Sequence, residues 1–143
     1  MIGGSRAPYP LVRRPLLAAG ALLAAAVPVL ALRRIRRVEV AGDSMRPTLE
    51  PGDRLLVVRC ARARAGALVI VPDPRDGSRT VVKRVASVSE DGVVVVGDNP
   101  SRSTDSRTFG TVPAASVLGR VVYRYSPAHR RGRVGAVEAD RPL

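Results

Sequence analysis

Two hydrophobic patterns divide the chain. From Pro15 to Leu32 the sequence PLLAAGALLAAAVPVLAL carries no charge. As a helix this run would be about 27 Å long, close to the hydrocarbon thickness of a bilayer. After residue 37 the pattern changes to short apolar runs cut by Gly, Pro and Asp. Strands are predicted at 37–40, 54–59, 67–71, 80–87, 92–96 and 117–125. Turn signals separate them at Pro51-Gly52-Asp53, Pro72-Asp73-Pro74 and Gly97-Asp98-Asn99-Pro100. The reading is one mainly β domain over 37–125, barrel-like or a folded-over sheet. A loosely ordered basic tail over 126–143 follows it.

The apolar run has three readings. A membrane anchor is favoured. A cleaved signal peptide ending at Val29-Leu30-Ala31 is the second. A buried core helix is the third, but a helix apolar all round needs more surrounding protein than 143 residues supply. Arg13 and Arg14 precede the run, and Arg33, Arg34, Arg36 and Arg37 follow it, so flanking charge leaves its orientation open.

Charge sharpens the picture. The formal net charge is +12, which invites a nucleic-acid or anionic-membrane partner. Aromatic residues are only 3% of the chain, too few for base-stacking platforms, so specific nucleic-acid binding is not expected. Much of the arginine lies beside the apolar run and in the tail, where lipid headgroups are the better partner. A lone Cys60 excludes an internal disulfide and a cysteine-based zinc cluster. The one histidine, His129, lies in the tail, a poor place for the base of a Ser-His-Asp triad.

Among the 24 basic residues, one is a lysine: Lys83, in TVVKRVAS. Arginine keeps its proton in proteins, whereas a desolvated lysine gives it up and becomes a base. On a strand Lys83 shares a face with Val81 and Val85, while Val82 and Arg84 point the other way. If the Val81/Val85 face is buried, the amine is desolvated; otherwise it snorkels to water. The hydroxyl such a base would serve is Ser44, in AGDSMRPTLEPGD. Gly42, Asp43 and Pro47 make this a constrained turn that fixes a hydroxyl beside a backbone N–H. An N–H aimed at an oxyanion is worth roughly 2.7–4 kcal/mol. Spacing alone favours an ordinary turn serine.

Three blocks in order, GDSMRPTLEPGDRLLV (42–57), VVKRV (81–85) and GDNPSRSTDSRTFGTVP (97–113), resemble the type I signal peptidases, S26 serine proteases with a Ser-Lys dyad. The likeness spans about 38–123. The GDSM motif alone also fits the LexA-like self-cleaving proteins, and the third block points to the peptidase branch.

The resemblance implies a small signal-peptidase/LexA-like β-fold core behind one N-terminal transmembrane helix. Ser44 would be the nucleophile and Lys83 its general base. Gly42 and Asp43 would support the oxyanion site, Ser103 would orient the lysine amine, and Asp105 with Arg107 would form a supporting ion pair. Met45 would lie beside the substrate pocket. No metal or cofactor is implied. Residues 1–14 would be cytoplasmic, 15–32 the anchor, and the catalytic domain would stand on the outer face of the cytoplasmic membrane, most simply as a monomer. That topology leaves Arg33–Arg37 outside, against the usual charge bias.

The sequence also departs from the family. Gly42 stands where some members carry a serine that donates a second oxyanion hydrogen bond. Only 84–96 separate Lys83 from Gly97, where larger enzymes insert a second β domain. Ser89-Glu90-Asp91-Gly92 replaces a Gly-Asp pair often found after the lysine block. The implied activity is removal of N-terminal signal peptides from exported precursors, after small residues at the first and third positions before the cut. A dedicated maturation protease, like that trimming the leader of nickel-type superoxide dismutase, is the alternative. A self-cleaving regulator fits less well, because neither Ala19-Gly20 nor Ala41-Gly42 lies in a flexible linker.

Overall fold

A computed structural model describes residues 34–60 and 62–134. The expected anchor at 15–32, the segment 1–14 and the end of the tail lie outside the described residues. Among those described, no helix is long and apolar enough to cross a membrane.

The domain is mainly antiparallel β. Its strands are β1 (Ile35–Glu39), β2 (Arg54–Val58), β3 (Leu68–Asp73), β4 (Asp76–Ser89), β5 (Gly92–Val96), β6 (Gly119–Ser126) and β7 (Gly132–Arg133). They form one sheet in the order β1-β2-β6-β3-β4-β5, with β7 added to β6. Among the described residues, one short helix, α1 (Ser106–Phe109), and three 3-10 turns complete it.

β3 explains the architecture. Its LVIV run is buried at every position, as expected for a strand covered on both faces. Leu68 and Ile70 enter a cluster with Met45, Leu49, Leu55 and Val121. Val69 and Val71 point the other way, into a cluster with Val85, Val93 and Val95. The period-two alternation of one strand thus serves two half-cores.

All six expected strands are present, with shifted ends. β3 runs on through Pro72 to Asp73, and β4 begins at Asp76. The proline is tolerated because β6 pairs with β3 only at Val69 and Ile70, leaving β3 an edge beyond them. β4 bends from one partner to another: it pairs with β3 up to Arg84 and with β5 from Arg84 onward. A register shift between Val85 and Ser87 marks the bend.

Residues 126–134 belong to the fold rather than to a loose tail. Ala128–Arg130 form a 3-10 turn, and Gly132 and Arg133 pair with Arg124 and Tyr123. Arg130 reaches the buried carboxylate of Asp53 at 3.2 Å, and Arg124 meets the same group at 3.2 Å. A specific anionic partner, invisible in the local sequence, converts this part of the basic run into a strap.

Candidate active site

β4 carries Lys83 opposite Val69 of β3, on the face whose half-core holds Val85. Lys83 is only 3% exposed. Burial lowers its pKa from the ordinary value; the negative charge of Asp105 opposes that shift, and the charges of Arg75 and Arg107 add to it. The Val81/Val85 face is therefore the buried one. Val82, on the opposite face, packs against the other cluster.

The amine has one hydrogen-bond partner among the described residues: Lys83 Nζ donates to Ser103 Oγ at 2.8 Å. Ser103 in turn donates to Asp105 Oδ2 at 2.6 Å. A hydroxyl has one proton. Because Asp105 takes it, Ser103 can only accept from Lys83. Asp105 is fully buried and is held by the Gly97 N–H at 2.8 Å and by Arg107 Nε at 2.8 Å. It also caps the start of α1 through the Arg107 N–H. The Arg107 guanidinium, with the Ser103 and backbone donors, overrides burial and holds its carboxyl far below the usual carboxylate range. The direction of the chain is thus fixed: amine to hydroxyl to permanent carboxylate.

Ser44 lies on the loop between β1 and β2, and both Ser44 and Lys83 line one cleft of about 250 Å³. The loop is pinned from outside: Ser44 O accepts from the Asn99 N–H at 2.9 Å, and Asp43 O accepts from Asn99 Nδ2 at 3.1 Å. The Asp43 carboxylate itself pairs with Arg46 at 3.1 Å and is half-buried, so its backbone serves the loop more than its charge. Gly42 borders the cleft in open space, with nothing within 4 Å of where a Cβ would stand. Met45 borders the cleft and is also a 1% exposed member of the core. It fixes the floor beneath Ser44.

Several supporting residues went unassigned in the sequence reading. Gly97 is the tightest: a Cβ there would overlap Ser103 Oγ and lie 2.6 Å from Ser44 O. Glycine is what lets the Ser103 loop and the Ser44 loop approach each other. Arg84, beside Lys83, grips Asp98 through two nitrogens at 2.7 and 2.6 Å. Thr48 of the Ser44 loop donates to the same carboxylate at 2.5 Å. The base strand and the nucleophile loop therefore share one anchor. The only local signal was that Thr48, Arg84, Gly97 and Asp98 all fall inside the three family blocks.

A larger hollow of about 520 Å³ lies beside Arg120, Tyr123 and Arg133, with neither serine nor lysine in its wall. Among the described residues no group of His, Cys, Asp and Glu is arranged to hold a metal ion.

The family model for signal peptidase, peptidase S26, matches residues 13–94 and 86–126. The chain belongs to the S26 peptidase family. Its relatives include mitochondrial ATP-independent inner membrane protease subunit 1b of Arabidopsis thaliana, 31% identical over 66% of this chain and 72% of that one. The probable signal peptidase I-1 of Synechocystis is 26% identical over 68% of this chain and 74% of its own. Human mitochondrial inner membrane protease subunit 1 is 26% identical over 63% and 69%. The matched ranges include all three sequence blocks.

Proposed function

We propose that the chain is a serine endopeptidase that removes N-terminal signal peptides from exported precursors through a Ser44–Lys83 dyad. The observation that carries this reading is the buried, singly hydrogen-bonded Lys83 amine in the same cleft as Ser44. Neutral Lys83 takes the Ser44 proton as Oγ attacks the scissile carbonyl. The resulting ammonium then protonates the leaving amine. An acyl-Ser44 ester remains, and Lys83, neutral again, activates the water that hydrolyses it. The Ser44 N–H stabilises the oxyanion, without help from a residue-42 hydroxyl.

The substrate would lie in the cleft as an extended strand. Among the described residues, β1 pairs on one side only, with β2, and the part of β4 before Arg84 pairs only with β3. Two unpaired strand edges flanking a cleft suit main-chain addition of a peptide. Small side chains fit the first and third positions before the cut.

The domain is placed on the outer face of the cytoplasmic membrane, tethered by 15–32, with the bilayer and precursor proteins as partners. The names of relatives as inner membrane protease subunits and signal peptidases support a membrane setting. Those subunit names also favour a second reading, in which the chain acts within an assembly on few precursors. Cleavage of a generic secretory precursor by the membrane-reconstituted chain, beside its Lys83→Arg variant, tests both. Cutting after a small-x-small site by the parent alone supports the general peptidase. An uncut generic precursor moves the dedicated reading ahead.

A further inference from the structure

We propose that Arg79 and Arg102 make the cleft selective for peptides bearing an acidic side chain within about four residues of the scissile bond. The inference rests on the peptidase reading and names a feature of its substrates.

Every carboxylate on the cleft wall already has a guanidinium of its own. Glu39 pairs with Arg54 at 3.2 Å, Asp43 with Arg46 at 3.1 Å, and Asp73 with Arg75 at 2.9 Å. Arg75 is further tied to Thr104 Oγ1 at 3.2 Å. Arg79 and Arg102 line the same cleft and form no ion pair among the described residues. Nearby Asp76 bonds its own turn, through the Ser78 N–H and hydroxyl. Arg79 lies within the field of Asp73 and Asp76 without an ion pair to either, and Arg102 has none, so two guanidinium groups on the cleft wall are left open to a further anion. A concave wall focuses such a field more than a flat face does.

The spacing is specific. Arg79 precedes Lys83 by four residues on β4, a distance of about 13 Å along the strand. A peptide extended beside β4 advances at the same rise, so Arg79 stands level with a residue about four positions from the attacked carbonyl. Arg102 immediately precedes Ser103, which holds the Lys83 amine, and so serves positions next to the cut. Lipid headgroups are the rival anion. Their natural contacts are the arginines beside the apolar run, whereas Arg79 and Arg102 line a cleft.

Three soluble peptides test this. They share one small-x-small cleavage sequence and carry Asp, Asn or Lys at the flanking positions. The full chain in neutral detergent should cut the Asp peptide roughly tenfold faster than the Lys peptide in kcat/KM at low ionic strength, and salt should erode the ratio. In the Arg79→Gln/Arg102→Gln double variant the three should fall within about twofold of one another, the span of a weak exposed charge contact. Equal cleavage by the parent, or a preference that survives in the double variant, overturns the proposal. So does a rate that depends on anionic vesicles through these arginines but not on peptide charge. Binding of the same peptides to Ser44→Ala reads the preference without turnover: tighter Asp binding supports it and equal binding overturns it. Failure to cut any peptide, with the binding preference intact, would count against the peptidase reading alone.

Discussion

Ser103 accepts a hydrogen bond from Lys83 at 2.8 Å while its own proton is committed to Asp105. A neutral amine has two hydrogens and one lone pair. Ser103 occupies one hydrogen, which fixes how the amine is turned and so where its lone pair points. Removing the hydroxyl frees that rotation. Ser103→Ala should lower kcat by about 100-fold, the low end of what a positioned base contributes, with KM little changed. Ser103→Thr restores a hydroxyl and should recover part of the rate. Equal loss in Ala and Thr would assign Ser103 a packing role only.

Two glycines on the site should behave in opposite ways. A Cβ at Gly97 collides with Ser103 Oγ and Ser44 O, while one at Gly42 meets nothing within 4 Å. Gly97→Ala pushes two functional loops apart, and displacement by about 1 Å is enough to cost 100-fold in rate. Gly42→Ala should be tolerated. Gly42→Ser adds a hydroxyl with room to reach the oxyanion, and kcat should rise. Steady-state kinetics on the three variants decides; an active Gly97→Ala would contradict the packing seen here.

The Arg84–Asp98 pair should matter for both stability and rate. Each side chain is 15% exposed, and Thr48 completes the carboxylate's shell. Removing one partner leaves the other poorly solvated. Arg84→Gln should cost about 3 kcal/mol, the low end for a broken buried pair, measured by urea unfolding. Because Thr48 belongs to the Ser44 loop, kcat should fall as well. A variant of parental stability would mean the pair is water-screened.

Much of this was legible in the chain. Alternating valines around Lys83 marked the face it occupies, and Lys83 on that face is buried. The six strands followed from apolar runs between turn residues. Strand ends were less legible, because Pro72 is permitted only by where β6 stops pairing. Arg130 read as part of a solvated basic tail, since its partner Asp53 lies 77 residues away in sequence. Asp98 likewise read as a turn residue, although it joins Thr48 and Arg84 from two other elements. Long-range pairing of charges leaves no period in a sequence.

The central claim is that Lys83 works as a neutral amine, and the chain's only lysine permits a direct measurement. Lysine-selective isotope labelling gives one side-chain NMR signal, to be followed against pH in the Ser44→Ala variant. Burial places its titration below the ordinary value of 10.5. Activity of the parent should therefore be lost as pH falls through that same lowered pKa, and kcat/KM should rise tenfold per pH unit beneath it. Coincidence of the NMR and kinetic values is the predicted result. A lysine signal titrating at 10.5 or above, or a rate flat from pH 6 to 9, would contradict Lys83 as the base.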